Sequence, residues 1–434
     1  MLWKNIDIEK KRLFENFVSL SVLQAANYIL PLITLPYLLR VIGPAKYGII
    51  VFAQSFMQYF MFFTDYGFNL TATRDISKKR DDIQFISKLF STIIFIKVAF
   101  FFLGFMVFAL LVFSIDIFRK EYIVYISFYG MVLGNVLFPL WFYQGIEKMK
   151  YITLLNIVSK LIFTVSVFVV VRYSSDYIYV PFLYSLGSIV AGAIAIRVAI
   201  KNFGIVIKMP DKQYVIEQLK EGFHIFLSQV SVNFYKINNV FILGLFVEES
   251  IVGCFAIAKK LIDLTNQLAA VISHTVYPFI NLKIEKSYNY IISFLKKLRA
   301  VIFVFTLIMG IVFLIFPDII IHIVVGKPSS EAILCLRAMA FVPLIIGINV
   351  PAVQIILSYG KDRVYSLIVI TGAVLNLALN LGLIPLFSYY GSCFAVIAAE
   401  TFVTMSLYYA VYKMNLDKQP IQGATGVLPG SDAG

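Results

Sequence analysis

The stretch FIKVAFFFLGFMVFALLVF, Phe95–Phe113, carries a single charge in nineteen residues and is otherwise apolar on every helical face. A helix rising ~1.5 Å per residue needs about 20 such residues to cross ~30 Å of hydrocarbon. Blocks of this kind follow one another along all but the ends of a 434-residue chain. Residues are 60% hydrophobic and only 14% charged, with mean hydropathy +0.87. A soluble domain sits nearer half apolar and a quarter charged, so the excess implies an all-α polytopic membrane protein. Outer-membrane barrels alternate apolar and polar residues in ~10-residue segments, and that pattern is missing here.

Twelve spans are expected: Phe14–Arg40, Gly48–Leu70, Phe85–Phe113, Tyr122–Tyr143, Tyr151–Val171 and Tyr177–Ile200, then Glu221–Val247, Ile251–Ile280, Lys296–Val325, Glu331–Ser358, Val364–Leu386 and Gly391–Tyr412. The corresponding organisation is a cytoplasmic N-terminus (1–13), a six-helix bundle (14–200), a cytoplasmic linker (201–220), a second six-helix bundle (221–412) and a cytoplasmic tail (413–434). The Gly-rich end GATGVLPGSDAG is unlike anything upstream and is set aside as flexible or appended. The basic, polar start MLWKNIDIEKKRLFENF is not a cleavable signal peptide, so the first span is expected to direct insertion.

Charge supports the map. With both termini inside, 25 of the 37 basic residues fall on inner segments, 6 on outer segments and 6 within spans. The net charge of +13 therefore reads as topology facing anionic inner-leaflet lipid, and no nucleic-acid partner is expected. Cys254, Cys335 and Cys393 lie far apart within apolar blocks, and His224, His274 and His322 have no metal-ligand spacing, so no metal is expected.

The two halves resemble each other faintly. RVIGPAKYGIIVFAQS between the first two spans and GLFVEESIVGCFAIAK between the seventh and eighth both place a glycine (Gly48, Gly253) shortly before Phe-Ala. Six helices per half give parallel repeats about an axis along the membrane normal. That arrangement predicts a central cavity walled by the first, second, seventh and eighth spans.

Ionisable residues at membrane depth are expensive and mark function by default. The basic ones are Lys97, Lys160, Lys236, Lys259, Lys260 and Arg337; the acids are Asp65, Asp263 and Glu400. At about 100° per residue, Lys260, Gln267, His274, Asp263, Lys259 and Asn266 share an arc of about 120°. Gln54, Gln58, Asp65 and Asn69 align within about 60°, and His224, Ser228, Ser231, Tyr235, Asn238 and Asn239 cluster with Lys236 at their flank. The first span adds Gln24, Asn27, Tyr28 and Thr34. Such stripes also glue membrane helices together, and Lys259 and Asp263 stand four apart, able to neutralise each other. One aspartate does not pair three lysines, however. Lys97 lies off the polar face of its helix and Lys160 shares a face with Thr153, Asn156 and Thr164, where snorkelling or pairing inside the bundle is a stronger expectation than a substrate role. Pro31 and Pro36 each remove a backbone donor and are expected to bend the first span, as a gate or a static kink.

No nucleophile–base pair, Walker motif or metal cluster is present, and the outer loops are too short to build an enzyme site. LPYLLRVIGPAKYG (Leu35–Gly48), DYGFNLTATRDISKKRDD (Asp65–Asp82) and WFYQGIEKMKYITLLNIVSKL (Trp141–Leu161) resemble signature stretches of Wzx-type polysaccharide flippases. These belong to the multidrug/oligosaccharidyl-lipid/polysaccharide exporter superfamily, and the resemblance extends to about Lys413. It implies two six-helix bundles forming a V around a central cavity in the bacterial inner membrane. It further implies that the cavity carries undecaprenyl-pyrophosphate-linked oligosaccharide from the cytoplasmic to the periplasmic leaflet by alternating access. The cationic lumen of the family maps onto Lys236, Lys259, Lys260 and Arg337. Asp65, Asp263 and Glu400 are the groups placed to couple transport to H+ or Na+, with simple ion pairing the alternative for each. Implied partners are membrane lipid, a polysaccharide polymerase and a chain-length regulator, with the chain itself a monomer. Two rivals stay open: an ion-coupled multidrug exporter, which calls for an acidic cavity, and a membrane oligosaccharide polymerase or ligase.

Overall fold

The computed structural model describes residues 2–283 and 288–414, and among them every regular element is a helix. Each expected span coincides with one helix, one arm of a helix, or a pair of short helices. The first two are the arms of α1 (Leu2–Asp65). Its apolar part and α2 (Phe68–Lys78) together run 57 residues from Val22 to Lys78. That is roughly 85 Å of helix, far more than one crossing needs. The helix is interrupted by a kink at Gly43, whose φ of 77° and ψ of 167° are non-helical, followed by Pro44. Pro31 and Pro36 lie within the first arm, and the only non-helical dihedrals inside α1 are those at Gly43.

The remaining first-half helices are α3 (Ile83–Ser114), α4 (Asp116–Arg119), α5 (Tyr122–Leu137), α6 (Leu140–Gly145), α7 (Met149–Val170) and α8 (Tyr179–Phe203). Asp82 starts α3 by accepting the Phe85 amide at 2.9 Å, and Gly204, at φ 66°, ends α8 in the left-handed region. The expected 201–220 linker is mostly helical: only 204–211 separate α8 from α9 (Lys212–Phe246). Those residues lie along α3, where the Val206 and Lys208 amides donate to Ser87 and Ser91. Then come α10 (Glu249–Lys283), α11 (Tyr288–Ile315), α12 (Pro317–Val325), α13 (Ser330–Ala338), α14 (Val342–Ser358), α15 (Asp362–Phe387) and α16 (Tyr389–Lys413).

By length and apolarity alone, eight stretches among the described residues can cross a membrane, or nine with α11 and α12 taken as one span bent by 81°. The helices α9 and α10, which carry the embedded Lys236, Lys259, Lys260 and Asp263, are not among them.

The chain forms two compact units. The first comprises Met1–Asn233 with Glu248–Gly253 and Ile323–Lys327; the second comprises Phe234–Val247, Cys254–His322 and Pro328–Gly434. In the first, small residues let helix backbones approach. A Cβ on Gly134 of α5 would lie 2.5 Å from Ser188 Cβ, and one on Gly192 of α8 would lie 2.8 Å from the Gly134 oxygen. Close backbone approach of this kind drives helix association where lipid is as apolar as leucine.

Two aromatic clusters fill the rest of the first unit. Phe56 stacks on Phe118 at 4.7 Å beside Tyr125, and Phe90 packs on Trp141 and Phe142 at 5.3 and 5.5 Å. The second cluster joins the two quoted stretches around α2 and α6. A Cβ on Gly145 would lie 2.6 Å from Ile76 Cβ. Thr73 donates to the Trp141 carbonyl at 3.2 Å, and Arg80 pairs with Glu147 at 2.6 Å. These residues thus form one docking joint, with Tyr66 of the α1–α2 turn stacked on Phe226 of α9 at 4.9 Å.

In the second unit all three cysteines are buried and free. Far apart in sequence, they converge: Cys254 Sγ lies 3.2 Å from Ser329 Oγ, and Cys335 hydrogen-bonds Cys393.

Candidate functional site

Inside the first unit the polar stripe of the second arm of α1 faces a cavity of about 280 Å³. Gln58, Asp65 and Asn69 line it from α1 and α2, Asn135 from α5, and Asn156 and Lys160 from α7. The Asp65 carboxylate is the hub. Its Oδ1 accepts Lys97 Nζ at 2.9 Å and Asn135 Nδ2 at 2.9 Å, while Lys97 Nζ also donates to the Asn135 carbonyl at 3.1 Å. The Lys97 side chain is 1% exposed, so this ammonium is fully committed to the bundle interior. Across the cavity Lys160 Nζ donates to Asn27 Oδ1 of α1. Gln54 hydrogen-bonds the Tyr184 phenol, and Thr34 meets Thr164 at 3.1 Å in buried surroundings. The polar residues of α1 thus divide between joining helices and lining the cavity.

Lys97 and Lys160 were expected either to snorkel or to pair inside the bundle; in the structure Lys97 holds Asp65 and Lys160 holds Asn27. Asn135 and Tyr184 were not singled out by sequence. Each is the partner of a charged or amide side chain on a different helix, or lines the same cavity, and periodicity along one helix carries no such signal. Gln24 is exposed on the first arm of α1, and the Tyr28 side chain lies outside the described residues.

In the second unit Lys259 Nζ pairs with Asp263 Oδ1 one turn along α10. Lys260, beside it and half-buried, makes no ion pair among the described residues. Asn238 is 3% exposed and buried in α9, while Gln267 is exposed on α10. Glu400 is half-buried on α16. Asn380 of α15 donates to Asn239 Oδ1 at 2.9 Å and to the Asn376 carbonyl at 2.8 Å, and all three amides are buried. Arg337 is exposed on α13 and pairs with Asp318 of α12 at 3.2 Å. The side chains of Ser228, Ser231, Tyr235, Lys236 and His274 lie outside the described residues. Among the described residues no group of three or more His, Cys, Asp or Glu is placed to hold a metal.

A bundle of apolar helices with charges folded into its interior is that of a multi-pass membrane protein. Comparison with known proteins narrows this. The polysaccharide biosynthesis protein family matches residues 13–281. A protein of Escherichia coli (strain K12), provisionally named an O-antigen transporter, is 30% identical over 400 residues, covering 92% of this chain and 96% of its own. The fold is shared with the lipid II flippase MurJ in an inward closed conformation, at TM-score 0.67 and 14% identity, over 92% of this chain and 87% of that one. An inward-facing multidrug resistance MATE family transporter of the MOP superfamily aligns at TM-score 0.63 and 13% identity, over 92% and 98%. The chain belongs to the polysaccharide biosynthesis protein family. It is an integral protein of the bacterial inner membrane.

Proposed function

We propose that the protein moves an undecaprenyl-pyrophosphate-linked oligosaccharide from the cytoplasmic to the periplasmic leaflet, holding the anionic headgroup on the lysines of α10. The observation that carries this reading is the adjacent pair Lys259 and Lys260 with a single carboxylate, Asp263, bound to the first of them. A cation at membrane depth costs about 2.5–3.5 kcal/mol or more, and here only one of two is neutralised nearby. A pyrophosphate has the opposite problem, because an unpaired anion faces tens of kcal/mol on entering hydrocarbon. An ammonium about 4 Å from a phosphate oxygen is worth about 4 kcal/mol at an effective dielectric constant near 20. Each charge thus relieves the other. Lys236 and Arg337 are the further cations assigned to the headgroup, with Arg337 released from Asp318 on engagement.

Driving force follows from the same charge. Negative charge leaving a cytoplasm at negative potential moves downhill, by about 2.3 kcal/mol per elementary charge per 100 mV. Coupling to H+ or Na+ falls to Asp263 and Glu400 in preference to Asp65, whose partner Lys97 is fully buried, whereas Lys259, the partner of Asp263, is partly exposed. Both termini face the cytoplasm in this reading, and the chain acts as a monomer beside a polymerase and a chain-length regulator.

The test is translocation of lipid-linked repeat units in proteoliposomes with an imposed potential, inside negative. Transport that rises with the potential supports the reading. Transport indifferent to Lys260→Gln in folded protein would remove the headgroup from α10.

A further inference from the structure

A second cavity, of about 710 Å³, lies on α15 and α16 of the second unit, and nothing in the transport reading uses it. Its walls are Val364 and Ile368 of α15 and Phe402, Met405 and Tyr409 of α16; its rim carries Lys361 and Lys413. The geometry points to a binding site for one anionic phospholipid, its acyl chain in the groove and its phosphate between Lys361 and Lys413.

Three observations support that occupant. The first is shape. A Cβ on Gly372 would lie 2.4 Å from Val403 Cγ2, so α15 and α16 touch there. From that closed end toward the lysines they leave the groove between them. Lys361 to Ile368 is seven residues, roughly 10 Å of helix, enough for the upper part of a fatty chain. The cavity falls within the usual range for small-molecule sites, about 300–1,000 Å³. The second is surface chemistry. Met405 and Tyr409 are 68% and 67% exposed on membrane-spanning helices, while Ala352, Ile356 and Leu407 form a tight floor beneath. The wall therefore meets hydrocarbon rather than water.

The third is charge. Lys361 and Lys413 are exposed at the same end of two antiparallel helices, and neither makes an ion pair among the described residues. Basic pockets between spanning helices on the inner side hold anionic headgroups. A zwitterionic headgroup offers a phosphate already compensated by its own cation, and leaves the two ammoniums with an uncompensated net charge. The inference rests on the membrane-embedded fold alone and stands whether or not the headgroup of the transported lipid binds α10.

The experiment uses the full chain in phosphatidylcholine nanodiscs with trace lipid bearing a diazirine in its acyl chain, either phosphatidylglycerol or phosphatidylcholine. Cross-linked peptides are mapped by mass spectrometry. The phosphatidylglycerol probe should label 402–414 over the neutral probe by roughly 25-fold, at about 1 kcal/mol per lysine. Lys361→Gln with Lys413→Gln should erase that preference while labelling of the lipid-facing α3 surface stays constant, which reports intact folding. Ala410→Trp should block labelling of the groove by both probes. Equal labelling by the two probes in the native chain would overturn the proposal, as would a preference that survives both glutamines. Deletion of 415–434 or dilution of the protein should leave labelling unchanged. A rise in either case would make the tail, or a second copy, the occupant and sink the lipid site.

Discussion

Gly48 of α1 and Gly253 of α10 meet backbone to backbone in a reciprocal contact. A Cβ on Gly48 would lie 1.8 Å from the Glu249 oxygen, and a Cβ on Gly253 would lie 1.9 Å from the Pro44 oxygen. Each glycine thus presses on the carbonyl four residues before its counterpart. Both sides of the contact belong to the first unit. The offset is the same in both directions, as a local two-fold relation between the two helices requires.

Any side chain at this crossing must push two backbones apart. Gly48→Ala and Gly253→Ala should each lower the thermal midpoint by several degrees, equivalent to about 2 kcal/mol or more. Gly382, inside α15 with nothing within 4 Å of a built Cβ, supplies the control. Gly382→Ala should be neutral or stabilising by up to about 1 kcal/mol. A thermal-shift series in one detergent checks all three, and equal effects would show that the crossing is not tight.

The Asp65–Lys97 pair is predicted to be structural. Asp65→Asn leaves a buried ammonium uncompensated and should cost about 3–5 kcal/mol. Adding Lys97→Met removes the stranded charge and should recover most of the loss. Transport measured on the double variant then separates roles. Activity near the native level is expected, and a stable but inactive double variant would return Asp65 to ion coupling.

The α2–α6 joint should behave as packing rather than as electrostatics. Arg80 and Glu147 are both partly exposed, 37% and 39%, so Arg80→Ala should cost no more than about 1 kcal/mol. Gly145→Val places a branched side chain where Ile76 already sits and should cost several times that. Comparable losses from the two changes would contradict the assignment.

Much of the fold was legible because hydrocarbon imposes a simple rule: all twelve expected spans fall on helices, arms or helix pairs. Bends were harder. Pro31 and Pro36 keep helical dihedrals, while the helical dihedrals of α1 break at Gly43, where φ is positive. Membrane helices tolerate proline where neighbouring groups satisfy the freed carbonyls, whereas a left-handed dihedral is open chiefly to glycine. The site was legible in part. Helical phase found the stripe holding Gln58, Asp65 and Asn69, which does line one cavity. It gave no sign that Asp65 pairs with Lys97, since phase orders residues on one helix and is silent about the next. The stretches around Asp65–Asp82 and Trp141–Leu161 served as family marks in sequence; in space they are two sides of one joint.

Headgroup binding on α10 is tested by the flipping rate of an undecaprenyl-pyrophosphate-linked repeat unit in proteoliposomes, native chain against Lys259→Gln/Lys260→Gln, with folding checked by gel filtration. A loss of at least tenfold, about 1.4 kcal/mol or more of headgroup stabilisation, is expected in protein that remains folded. A double variant that flips the substrate at the native rate would contradict a headgroup held by these lysines.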